Sequence, residues 1–207
     1  MFGIITKASL ALTLTGAAFL AVSGAVVAEP QTATFASVGA DTTVPYGWVD
    51  FCARYRGECA DDNRPAQPIA LTSEAMHKIR RINAWVNDNI EPVSDAEHWG
   101  VVDQWDYPSD GKGDCEDYAL LKRRMLMEEG FPRQALLMTV VKEANGDGHA
   151  VLTVKTDHGE FVLDNLTNTV KPWGKAPYRF VKRQSESNQN VWVSIGAPTT
   201  APDYVSR

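Results

Sequence analysis

Apolar side chains at Met76, Ile79, Ile82, Val86 and Ile90 recur at steps of three and four, which predicts an amphipathic helix over 72–89 with Thr72 or Ser73 as its N-cap. A second helix is expected from Cys115 to about residue 129. Ala119, Leu120, Leu121, Arg123, Met125 and Leu126 are good helix formers, and Gly130 and Pro132 end it. The period then changes. Residues 135–142, 149–156 and 160–165 read as strands, and Asn145-Gly146-Asp147-Gly148 and Asp157-His158-Gly159 supply the turns of two antiparallel hairpins. Residues 178–183 and 191–195 are two further strand candidates. Helices followed by a run of strands predict an α+β domain, an antiparallel sheet with helices packed on one side. Residues 45–62 lack a clean period and read as a loop-rich cap. Residues 91–110 form a long polar connection carrying Asp95, Glu97, Asp103, His98, Trp99, Trp105 and Tyr107. Connections this long in a compact domain are usually functional. Trp99 and Trp105 fit either apolar platforms in a substrate groove or a seal at the core edge.

The N-terminus has a different character. In residues 1–28 Lys7 is the only charge, an apolar run follows it, and Val26-Val27-Ala28 offers a small-residue cleavage site, so this stretch reads as a secretory signal. An uncleaved inner-membrane anchor is the alternative, because residues 8–28 are all uncharged and are long enough to span a bilayer. Either way the rest of the chain is exported, to the periplasm or beyond. Residues 29–43 read as a flexible linker, which leaves 44–207 as one folded domain of a 207-residue chain. The net charge of −6, about −7 without Lys7, and the lack of a basic stripe argue against a nucleic-acid partner. Three cysteines in an exported chain leave one over. Cys52 and Cys59 can close a small disulfide loop or remain reduced, and Cys115 is then the free thiol.

Cys115 follows Gly111-Lys112-Gly113-Asp114 and opens a predicted helix. There, unsatisfied N–H groups and the positive end of the helix dipole favour a thiolate and activate it as a nucleophile. His149 opens a downstream strand and Asp164 closes the next, giving the order Cys, His, Asp. In that arrangement His149 takes the thiol proton and Asp164 fixes the imidazole tautomer. Asp114, Glu116 and Asp117 oppose ionisation of the thiol unless neutralised. Helix capping is one resolution; a bound Ca²⁺ with carboxylate ligands is the other.

The segment Gly113-Asp114-Cys115-Glu116-Asp117-Tyr118, with Gly148-His149-Ala150-Val151-Leu152-Thr153 and Leu163-Asp164-Asn165, resembles the bacterial transglutaminase-like cysteine proteinases. That family includes LapG-type periplasmic proteases that cut surface adhesins. The resemblance runs over about 44–195 and includes Phe51-Cys52-Ala53-Arg54-Tyr55 and Arg179-Phe180-Val181-Lys182-Arg183. It implies a papain-like, transglutaminase-type core and a cysteine endopeptidase acting on a secreted or surface protein such as an adhesin. It also implies calcium held through the acidic residues flanking the cysteine, here Asp114 and Glu116, and an inner-membrane receptor as regulatory partner. Papain-like enzymes carry a glutamine ahead of the cysteine, and by that analogy Gln104 is a candidate oxyanion donor. Two other functions fit the same residues: acyl transfer to an amine, as in a transglutaminase or amidase, and a binding module that keeps the fold without turnover.

Overall fold

The computed structural model describes residues 34–60 and 64–196 together with Met1 and Gly3. The expected signal segment, apart from those two residues, lies outside the described residues. The elements run β1 (Val38–Thr42), α1 (Tyr46–Arg54), α2 (Ser73–Asn89), β2 (Glu91–Pro92), α3 (Asp95–His98), β3 (Lys112–Gly113) and α4 (Cys115–Glu128). They continue β4 (Leu136–Lys142), β5 (Gly148–Thr156), β6 (Gly159–Asp164), β7 (Thr167–Pro172), β8 (Arg179–Gln184) and β9 (Trp192–Ile195). Seven strands form one antiparallel sheet in the order β1-β9-β8-β4-β5-β6-β7, while β2 and β3 make a short parallel pair.

The helix α2 starts where Thr72 accepts a hydrogen bond from the Ala75 N–H at 3.0 Å and buries Ile79, Ile82 and Val86. It packs against α4 and β7, and α4 in turn lies on β5 and β6. Strand pleating then sorts the side chains. Ala150, Leu152, Val154 and Leu163 join the helices in the main core, whereas Val151 and Val162 form a small cluster on the opposite face under Trp173, Ala176, Tyr178 and Phe180. His149 and Asp164 share the parity of Val151 and Val162, so adjacent strands present them on that second face.

Three stretches differ from the sequence pattern. Residues 46–54, expected as part of a loop-rich cap, are the helix α1, whose Trp48 and Phe51 are buried one turn apart. Nine residues show too few turns for a period to stand out. Residues 38–42, placed in the flexible linker, are the strand β1 paired with β9. Strand β7 closes the other edge. Both edges hold their place by backbone pairing with side chains largely outside the core, so neither carries an apolar alternation. Among the described residues no helix is long and apolar enough to cross a membrane.

Candidate active site

The approach to Cys115 is set by backbone. Gly111 has φ +85°, a conformation that favours glycine, and a Cβ on Gly113 would lie 2.6 Å from a carboxylate oxygen of Asp117. The β2–β3 pair fastens this turn to the end of α2, with Val93 N–H donating to the Gly113 carbonyl at 3.0 Å. Asp114 occupies the N-cap position with extended backbone, but its side chain does not cap the helix. Its Oδ2 accepts instead from the Asp95 N–H at 3.2 Å, which draws the 91–110 connection onto the head of α4. The capping resolution of the acidic flank therefore does not hold for Asp114. Asp117 Oδ1 accepts from the Asp106 N–H at 2.7 Å, and Arg54 of α1 bonds Asp106, so the connection is pinned from both sides.

Cys115 is 1% exposed. Its thiol donates to Glu116 Oε2 at 3.0 Å and its sulfur accepts from the Ala150 N–H at 3.3 Å. His149 is fully buried, with Nε2 3.0 Å from Asp164 Oδ1. His149 Nδ1 has no hydrogen bond of ordinary length among the described residues, and the Cys115 sulfur is near enough to act on the ring. Burial works to lower the imidazole pKa, but hydrogen bonding to Asp164, and then the Cys115 sulfur, outweigh it and raise the group to about 9. Asp164 is the converse: burial would raise its carboxyl, yet His149 and then Tyr178 hold it below its ordinary value. The Tyr178 hydroxyl donates to Asp164 Oδ2, and the Asn87 side-chain amide donates to the Asp164 carbonyl at 2.9 Å. The structure thus brings Cys115, His149 and Asp164 together from α4, β5 and β6.

Beside the thiol lies a buried acidic cluster. Asp95, Asp103 and Glu116 have ligand atoms within 4.8 Å of one another, and so do Asp95, Asp114 and Asp117, and Asp114, Cys115 and Glu116. Glu116 Oε1 has no hydrogen-bond partner among the described residues. Burial, reinforced by the Asp114 charge, pushes Asp95 up to about 7. Burial likewise raises Asp117 to about 9 and, with the neighbouring Cys115 and Asp114, lifts Glu116 well above the carboxylate range. Several hard oxygen donors converging in a dry site, one of them orphaned, fit a divalent cation of the calcium type.

Gln104 adjoins this cluster, its backbone N–H donating to Asp95 Oδ2. Trp105 is fully buried between Trp48 and Trp192, at 6.2 Å from each ring, so it seals the core; Trp99 stacks on His98 and stays about half exposed. Cys52 and Cys59 are joined in a disulfide, leaving Cys115 as the free cysteine. Sequence reasoning noted Asp95 and Asp103 only as acidic residues of the connection, and their crowding in 91–110 was the available signal. Tyr178 stood out only as the start of a strand, and nothing local marks it as a partner of Asp164.

A helix headed by a cysteine and laid on an antiparallel sheet is a transglutaminase-like α+β core. Residues 38–200 match the family described as bacterial transglutaminase-like cysteine proteinase BTLCP, and the chain belongs to that family; it is a cysteine peptidase. The fold is similar to calcium-bound LapG of Legionella pneumophila at 20% identity and a TM-score of 0.50, covering 61% of this chain and 74% of that one. A second LapG structure from the same organism aligns at 23% identity and a TM-score of 0.48, covering 57% and 68%. No curated protein matches the sequence.

Proposed function

We propose that this chain is an exported endopeptidase in which Cys115, His149 and Asp164 form the catalytic triad and act on a flexible segment of a secreted or surface protein, an adhesin being one such substrate. The observation that carries this reading is the buried His149–Asp164 hydrogen bond at 3.0 Å with the other face of the imidazole turned to Cys115. His149 takes the thiol proton, the Cys115 sulfur attacks the scissile carbonyl, and His149 then protonates the leaving amine; water releases the acyl group from the sulfur with His149 as base. The Cys115 backbone N–H at the head of α4 steadies the oxyanion, with the Gln104 side chain as its companion donor. Asp164 keeps the imidazole in the required tautomer and favours its charged form. Cys115 and His149 are closed to water in this conformation, so admitting a peptide requires the covering chain to move.

Asp114 and Glu116, with Asp95, Asp103 and Asp117, would hold calcium beside the nucleophile. When bound, the ion neutralises carboxylates that otherwise oppose the thiolate and orders the connection that carries them. That the similar LapG is a calcium-bound protein supports this assignment. The test is cleavage of exported proteins by the chain lacking residues 1–28, against Cys115→Ala, each with calcium and with a chelator. Discrete fragments that need both Cys115 and calcium are expected. Fragments that ignore the chelator would remove calcium from the mechanism, and none that depend on Cys115 would refute the endopeptidase.

A further inference from the structure

Lys122 lies on α4 seven residues after Cys115, two helical turns along nearly the same face. It is 1% exposed, its Nζ has no hydrogen-bond partner among the described residues, and it sits 5.7 Å from the centroid of the Tyr118 ring. Tyr118 does not balance the charge, since its hydroxyl donates to the Ile90 carbonyl. A methionine would occupy the same space without desolvating an ammonium, so packing alone does not account for a lysine here. The charge that acts on it is that of Asp164. The two carboxylate oxygens of Asp164 are taken by His149 and Tyr178, so Lys122 acts on the anion through space.

We infer that Lys122 is a positioning residue for the His149–Asp164 pair: its buried ammonium keeps Asp164 an anion and limits how strongly that anion holds a proton on His149. The inference rests on the triad proposed above. A positive charge behind Asp164 offsets part of the field that raises His149, so without it the imidazole holds its proton to higher pH. The groups bearing on this ammonium are Tyr118 on α4 and Asp164 on β6, with His149 of β5 and Tyr178 of β8 beyond Asp164. From α2, Asn83 and Asn87 bond the Thr167 and Asp164 carbonyls and do not titrate. Burial holds the Lys122 ammonium down to about 7 while Asp164 pulls it upward, so the field fades above neutrality.

The experiment is an NMR titration of the histidine and lysine side chains in calcium-containing buffer, for the unaltered chain, Lys122→Met and Lys122→Arg, with His149 identified by its loss in His149→Gln. The expected result is a His149 midpoint higher by about half a pH unit or more in Lys122→Met, restored in Lys122→Arg. A midpoint that stays within about 0.2 unit or falls would overturn the inference. Should Lys122→Met fail to fold, Asp164→Asn decides the matter from the other side: the Lys122 midpoint must drop, because coupling is reciprocal. An unmoved Lys122 midpoint there overturns the inference as well. Both shifts present without Cys115-dependent cleavage would count against the peptidase triad and not against this coupling.

Discussion

Replacing Asp164 with asparagine keeps the shape and an acceptor oxygen for His149 and for the Leu166 N–H, but removes the charge. The imidazole stands at about 9 in the folded chain, against about 6.5 for an unperturbed histidine, a rise worth about 3 kcal/mol. A raised pKa in the folded state contributes stability that is complete below about 6.5, declines as pH rises, and is gone above about 9. Burial by itself lowers the imidazole, so in Asp164→Asn the midpoint should fall to 6.5 or below. Urea unfolding of both proteins at pH 6, 7.5 and 10 reads the difference. The stability gap should shrink by roughly 3 kcal/mol between pH 6 and pH 10. The acidic cluster titrates in both proteins and cancels. At pH 8 about nine-tenths of the wild-type imidazole is charged, against a few per cent in the variant, so activity should fall by roughly 30-fold or more. A gap that is constant or grows with pH would refute the assignment of Asp164 as the group that raises His149.

Two further perturbations test the surroundings of the site. A Cβ at position 47 would land within the Trp105 indole, which has no room to yield between Trp48 and Trp192; Gly47→Ala should cost roughly 3 kcal/mol, read as a lowered urea midpoint at unchanged slope. The Cys52–Cys59 bridge spans a sequence separation of 7, so the double serine variant should lose about 2 kcal/mol. The unreduced chain, once unfolded, should show a single reactive thiol, that of Cys115.

Much of the site could be anticipated because its chemistry is tied to local signals. A cysteine behind a glycine turn at a helix start, a histidine opening a strand and an aspartate closing the next are each marked by neighbours in sequence, and hairpin turns place β5 beside β6. The two central helices and five of the seven sheet strands announce themselves for a related reason: burying one face imposes a period. The edge strands β1 and β7 do not, since little of their side-chain surface enters the core. The helix α1 hides in nine residues whose partners, Trp105 and Trp192, lie more than fifty residues away.

The sequence by itself determined the α+β class, the order of nucleophile, base and orienter, and the family to which the chain belongs. Only the tertiary structure decided which carboxylates surround the thiol. Asp95 and Asp103 reach Glu116 because the Asp95 N–H is fixed to Asp114 and the connection to Arg54, none of which has a periodic trace. The same holds for Tyr178 and Lys122, which act on Asp164 from β8 and from α4. Pattern along a chain reports which face of an element is buried, whereas the charge beside which a buried group comes to rest depends on elements far apart in sequence.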